Sequence, residues 1–198
     1  MKKVAVLALQ GGVVEHITAL RRLDAEAFPV RLPGELGGIS GLVIPGGEST
    51  TIGKLMAEYE MVEELRRLIA GGLPVFGTCA GMVLLAKKAA GNNRNYQGLL
   101  EAMDIEIRRN AFGRQVDSFE TALDVPVLGE PPFPGVFIRA PRIEAAGSGV
   151  EILARLHDGT PVAAREKNMV ATAFHPELTT DLRFHKYFLS IVDGKTGE

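Results

Sequence analysis

The chain has 198 residues, of which 46% are hydrophobic and 23% charged, with a net charge of −2 and a single cysteine. That length suits one domain over residues 1–198, in which roughly 70% of the unfolded surface can be buried. The near-neutral charge offers no basis for binding nucleic acid or an anionic membrane, and one cysteine excludes an internal disulfide or a multi-cysteine zinc site; the chain reads as cytoplasmic.

The N-terminal residues have a basic start and an apolar run, as a signal peptide does. No small-residue cleavage site follows, and the run stops at Gln10-Gly11-Gly12, so residues 3–9 are expected as a buried strand. Residues 13–23 carry Val13, Val14, Ile17, Leu20 and Leu23 at helical spacing. Residues 27–32 and 41–44 read as strands, the second ending in Pro45-Gly46-Gly47. Residues 52–69 read as one helix whose apolar stripe is stopped by Gly71-Gly72. A strand at 74–76 then runs into Gly77-Thr78-Cys79-Ala80-Gly81, and residues 82–88 look helical.

Further on, residues 104–108, 115–121, 136–139, 150–156, 160–165 and 169–174 are strand-like. Asp158-Gly159 predicts a tight hairpin, and a last helix is expected over 180–192. Strands alternating with helices through glycine turns predict an α/β fold, a doubly wound and mostly parallel sheet flanked by helices. Ligands of such sheets collect beyond the carboxyl ends of the strands, which is where Gln10, Gly46-Gly47 and Cys79 fall.

Gly77-Thr78-Cys79-Ala80-Gly81 has the glycine-x-nucleophile-x-glycine arrangement of a strand-to-helix elbow, with cysteine as the nucleophile. So sharp a turn crowds neighbouring Cα atoms, and glycines at 77 and 81 relieve the crowding. It also sets the sulfur at a helix N-terminus, which favours thiolate. The plainer reading is a small buried cysteine in a tight turn. A nucleophilic cysteine needs a base. His185 falls in a helical pattern as a surface or packing residue, His157 abuts the Asp158-Gly159 turn, and His16 beside Glu15 suits a capping or surface role. His175 differs: it ends an apolar strand, is followed by Pro176, and has Glu177 two residues on. If that strand is parallel, imidazole, carboxylate and sulfur meet at one sheet edge as a triad.

Two other readings fail on the residues. His-x-Glu occurs in zinc deaminases, but those need a later cysteine pair. The stretch from Gly46 to Lys54 resembles a phosphate loop, yet Glu48 stands at its first glycine and Leu55 at its Ser/Thr position. Instead, the Gly46-Gly47 amides and the Ala80 N–H suit an oxyanion hole, the plainer reading being that these glycines only make a tight strand–helix turn.

With these parts assembled, the chain resembles the class I, triad-type glutamine amidotransferases, and among them the glutaminase subunits of pyridoxal 5′-phosphate synthases. The carriers are Leu7-Ala8-Leu9-Gln10-Gly11, Pro45-Gly46-Gly47-Glu48-Ser49-Thr50-Thr51, the elbow, Arg109-Asn110-Ala111-Phe112-Gly113-Arg114-Gln115, Phe137-Ile138-Arg139-Ala140-Pro141 and His175-Pro176-Glu177. The resemblance implies a flavodoxin-like fold and hydrolysis of L-glutamine to glutamate and ammonia. Cys79 would be the nucleophile, His175 the base and Glu177 its orienting partner. Gly47, Glu48, Ser49, Arg109, Ile138 and Arg139 would contact substrate, and Gly47, Ala80 and Gln10 would form or adjoin the oxyanion hole, Gln10 rearranging when a synthase docks. It implies no cofactor and no metal, and as partner a ring-forming synthase subunit that takes up the ammonia. The remaining alternatives are a glutaminase feeding another amidotransferase pathway and a non-catalytic thiol-sensing module on the same fold. Residues 91–97 and 130–134 match the family least closely.

Overall fold

In the computed structural model, the structure describes residues 2–90, 100–109 and 118–195. The chain begins with β1 (Lys3–Leu7), α1 (Val13–Arg21), β2 (Glu26–Val30) and β3 (Gly41–Ile44). It continues through α2 (Ser49–Glu58), α3 (Met61–Ala70), β4 (Val75–Thr78), α4 (Ala80–Leu85), β5 (Ala86–Ala90) and β6 (Met103–Arg108). The rest comprises β7 (Ser118–Leu123), β8 (Phe133–Ile138), β9 (Arg142–Ala146), β10 (Glu151–Arg155), β11 (Pro161–Glu166), β12 (Met169–Thr172) and α5 (Arg183–Val192).

The main sheet has the order β10-β11-β12-β4-β3-β1-β2. Every pairing from β12 through β2 is parallel, and β11 and β10 add antiparallel strands at one edge. From the β2 edge the parallel strands run in the flavodoxin-like order of doubly wound sheets, with the reversal between β1 and β3. Strands covered on both faces must be apolar throughout, and β3, β4 and β12 are buried at every position. Pro29, which cannot donate to a ladder, sits in β2 at the sheet's edge.

One helix group joins α1 to α5, and another joins α2 to α3 and α4. A single hydrophobic cluster runs through the sheet from Val4 to Ile191. Its aromatic centre is Phe184 of α5, whose ring lies 4.8 Å from Phe133, 5.4 Å from Phe174 and 6.4 Å from Phe76. Burying each such side chain stabilises the fold by about 1.5–3 kcal/mol. A three-stranded sheet, β5-β6-β9, and the β7–β8 hairpin complete the fold. Among the described residues, no helix is long and apolar enough to cross a membrane.

The structure corrects four expectations. The helix over 52–69 is two helices, because Glu60 takes the left-handed conformation (φ 57°, ψ 27°) and turns the chain between α2 and α3. The run at 82–88 leaves the helix at Ala86, whose extended backbone (φ −64°, ψ 146°) starts β5. The last helix begins at Arg183 rather than 180, after Asp181 accepts the Arg183 backbone N–H. In α1 the buried stripe is His16, Ala19 and Leu20, while Val14 is 71% exposed. The Asp158-Gly159 hairpin forms between β10 and β11 as expected, with Gly159 at φ 86°. The part of the expected 115–121 strand before Ser118 lies outside the described residues, as do Asn110 to Gln115 and the 91–97 loop.

Candidate active site

Cys79 joins β4 to α4 at φ 47° and ψ −100°, a strained conformation for a residue with a Cβ, and is 7% exposed. Its N–H donates to Thr172 O on the neighbouring strand (2.7 Å), which ties the elbow to β12. Both flanking glycines are required by contact. A Cβ on Gly77 would lie 2.7 Å from the Gly81 backbone and from Leu85, and one on Gly81 would overlap the carbonyl oxygen of Ile44.

Because β12 runs parallel to β4, with Thr172 beside Thr78 in register, the segment leaving β12 arrives on the Cys79 side of the sheet. Phe174 is fully buried, and the His175 backbone N–H donates to Val136 O of β8 (2.9 Å). His175 Nδ1–H donates to Glu177 Oε1 at 2.7 Å, and the ring lines the same cleft as Cys79 and interacts with its side chain. Burial alone would push this imidazole down, but the bonds to Cys79 and Glu177 and the charges of both carry it up to about 10. Burial opposes ionisation of Glu177 as well; the neighbouring His16 and the bond and charge of His175 outweigh it and hold the carboxyl below its usual range. Cys79, His175 and Glu177 therefore converge, as the sequence predicts.

A cleft of about 260 Å³ opens above the sulfur. Gln10, Gly47, Glu48, Ser49, Cys79, Ala80, Arg109, Ile138, Arg139 and His175 all line it. The loop after β3 is fixed from both sides. Gln10 Oε1 accepts the Glu48 N–H (2.7 Å), and Glu48 caps α2 by accepting from the N–H groups of Thr50 and Thr51. Glu48 also pairs with Arg109 at 3.2 Å. On the opposite wall, Ile138 O lies 3.9 Å from the sulfur, and Arg139 is the second positive-φ residue of the site (φ 43°). The Gly46 N–H, one of the donors expected for the oxyanion hole, already donates to Thr78 Oγ1 (2.9 Å). A larger cleft of about 350 Å³ lies at the other end of β4 and β12, without a thiol, hydroxyl or imidazole among the described residues that line it.

A family model described as the SNO glutamine amidotransferase family matches residues 6–193. The chain belongs to the SNO glutamine amidotransferase family. Among this family's curated members it is 57% identical over 188 residues to "Pyridoxal 5′-phosphate synthase subunit PdxT" of Herpetosiphon aurantiacus, covering 95% of this chain and 99% of that one. It is 60% identical over 187 residues to the protein of the same name from Pelotomaculum thermopropionicum, covering 94% and 93%. A solved structure described as a glutamine amidotransferase superposes with a TM-score of 0.90 at 50% identity, covering 96% of this chain and 98% of that one.

Sequence reasoning missed three residues that the fold brings to this family site. His16, expected as a capping or surface residue, is fully buried, with Nε2 3.4 Å from Glu177 Oε2 and 3.1 Å from Thr78 Oγ1. His185, also fully buried, places Nε2 2.9 Å from His16 Nδ1, and Thr78 bridges them to the Gly46 loop. A signal was present: His16 stands at i, i+3, i+4 and i+7 with Ala19, Leu20 and Leu23, and His185 at i, i+3 and i+4 with Phe188 and Leu189. His157 is exposed, as expected.

Proposed function

We propose that this chain is the glutaminase subunit of a pyridoxal 5′-phosphate synthase, an enzyme that splits L-glutamine into glutamate and ammonia and passes the ammonia to a synthase subunit. The observation that carries the reading is the convergence of Cys79 and His175 in one cleft, with Glu177 bonded behind the imidazole, on a glutamine amidotransferase fold. The names of its close relatives, each a synthase subunit, support the partner. The hydrophobic cluster spanning Val4 to Ile191 supports one amidotransferase domain over residues 1–198. A nucleophilic thiol must be kept reduced, which supports a cytoplasmic location.

In this reading Arg109 and Arg139 offer guanidinium forks to the substrate carboxylate, and Glu48, the carboxylate that lines the cleft among the described residues, faces its ammonium group. Gly47, Ser49 and Ile138 supply the remaining walls. The Cys79 thiolate attacks the side-chain amide carbon of glutamine. The electron pair moves to the carbonyl oxygen, where the N–H groups of Gly47 and Ala80 receive it, with Gln10 beside them. The intermediate collapses as His175, protonated at neutral pH, gives its proton to the departing nitrogen, and ammonia leaves a γ-glutamyl thioester. His175, now neutral, takes a proton from water. The resulting hydroxide displaces the sulfur, and glutamate is released. Glu177 holds the imidazole orientation and steadies its positive form throughout.

The test is glutamate release with the synthase subunit present and absent. Cys79→Ala abolishes it while the fold persists by circular dichroism, and the synthase raises the wild-type rate. Glutamine turnover retained in Cys79→Ala overturns the assignment.

A further inference from the structure

Behind the triad, and unused by that mechanism, lies a buried pair of histidines. We propose that His16 and His185 are positioning residues of the glutaminase, a one-way line of N–H donors running from α5 through α1 to the far oxygen of Glu177; the inference rests on the glutaminase reading above.

Direction along the line follows from one unpartnered atom. His185 Nδ1 is buried with no hydrogen-bond partner among the described residues. A bare ring nitrogen there costs far less than a buried N–H without an acceptor, so His185 carries its proton on Nε2. That N–H points at His16 Nδ1, 2.9 Å away, which must then accept it. His16 is held neutral: burial pushes its imidazole down and the nearby His175 charge adds to this, against the opposing pull of Glu177 and Glu15. A neutral ring that accepts at Nδ1 carries its proton at Nε2, the nitrogen facing Thr78 Oγ1 (3.1 Å) and Glu177 Oε2 (3.4 Å).

Glu177 Oε2 is the carboxylate oxygen that His175 does not use, and it makes no hydrogen bond among the described residues. A buried carboxylate oxygen left bare is costly. The His16 N–H is the donor aimed at it, supplying stabilisation without adding net charge to a site that already holds an imidazolium. If His16 took the other tautomer, a lone pair would face the carboxylate. His185 prevents this, and Phe76 keeps both rings in place by edge contacts at 6.1 Å to His16 and 5.7 Å to His185. The groups around His16 are Glu15 on its own helix, Glu177 and His175 beyond β12, Thr78 and Phe76 on β4, and His185 on α5.

Two measurements test this. In ¹H–¹⁵N spectra of imidazole-labelled wild-type protein at pH 7, His16 and His185 both show a protonated Nε2 and a bare Nδ1. An Nδ1–H tautomer or an imidazolium on either ring overturns the proposal, and this reading needs no turnover. In glutaminase assays with the synthase subunit present, His16→Leu lowers kcat by roughly 10–100-fold, the scale found for partners that orient functional imidazoles, with KM for glutamine within about twofold. His16→Gln, which returns an amide N–H at similar reach, recovers most of the loss. Equal losses in the Leu and Gln variants, or an effect on KM alone, overturn it. Absent wild-type turnover strikes the glutaminase reading instead, and the tautomer spectra still decide the inference.

Discussion

His175 carries two opposed influences, and their balance sets its chemistry. Burial disfavours the imidazolium, whereas Cys79 and Glu177 favour it strongly enough to bring the imidazole to about 10. A raised value in the folded state means the stabilisation of the protonated ring is complete below about 6.5 and is lost as pH rises through about 10. The alkaline limb of kcat/KM for glutamine should therefore fall near pH 10. A pH–rate profile whose limb lies near 6.5 would contradict the paired arrangement. In Glu177→Gln the limb should move down and turnover should fall by roughly 10²–10⁴-fold, the usual contribution of positioned proton transfer. Gly81 shows how little room the elbow leaves: an added Cβ would overlap the Ile44 carbonyl oxygen. Gly81→Ala should lower stability by about 3 kcal/mol and suppress Cys79 alkylation, as measured by urea unfolding and iodoacetamide labelling.

At the scale of elements, the break between α2 and α3 is an active construction detail. Glu60 adopts φ 57° and ψ 27°, which costs a residue with a Cβ about 1 kcal/mol and costs glycine nothing. Glu60→Gly should therefore be neutral to stabilising by up to about 1 kcal/mol, although glycine also loosens the unfolded chain. A clear fall in melting temperature would show that the Glu60 side chain matters more than its backbone. The break lets α2 start at the cleft beside Cys79, capped by Glu48, while α3 turns back to pack Met61 and Leu65 into the core before β4. At the other end of the chain, Arg183 of α5 donates to the carbonyls of Gly129 (2.8 Å) and Pro131 (2.7 Å). That fastening holds the 130–134 segment, the entry to β8, whose Val136 carbonyl in turn positions His175.

For the whole molecule, the buried histidines make acid a specific threat. Burial first, and then the neighbouring His16 ring, pushes His185 down to about 3 against the weaker opposing pull of Glu177. A depressed value means the stabilisation is complete above about 6.5 and is lost as pH falls toward 3, because only the unfolded chain takes up the proton. At pH 5 this amounts to about 2 kcal/mol from His185 alone, taking 1.4 kcal/mol per unit. His16 and Glu177, both lowered, add losses of the same sign. Urea unfolding at pH 7.5 and pH 5 should show a smaller acid loss in His185→Phe than in the wild type. Equal losses would mean that the pair is not the seat of acid sensitivity.

What the sequence determined alone was local chemistry and its order. Turn glycines, apolar strand runs and the flanks of Cys79 and His175 specify an elbow, a strand-end imidazole and a carboxylate two residues on, because each depends on neighbours along the chain. The alternation of strands and helices was legible for the same reason, whereas Arg109, Ile138 and Arg139 of the cleft wall were named only through the family resemblance. The tertiary structure decided everything that depends on distance through space. Lys87 and Lys88 extend a helical pattern by propensity, yet they lie in β5 because pairing with β6 outweighs it. Residues 142–146, which show no strand pattern strong enough to read, become β9 against the other side of β6. His16 and His185, 169 positions apart, acquire a role only when α1 and α5 pack side by side against β4. A polar ring on an apolar helical face is ambiguous in a sequence, since its meaning is set by the one atom that ends up opposite it.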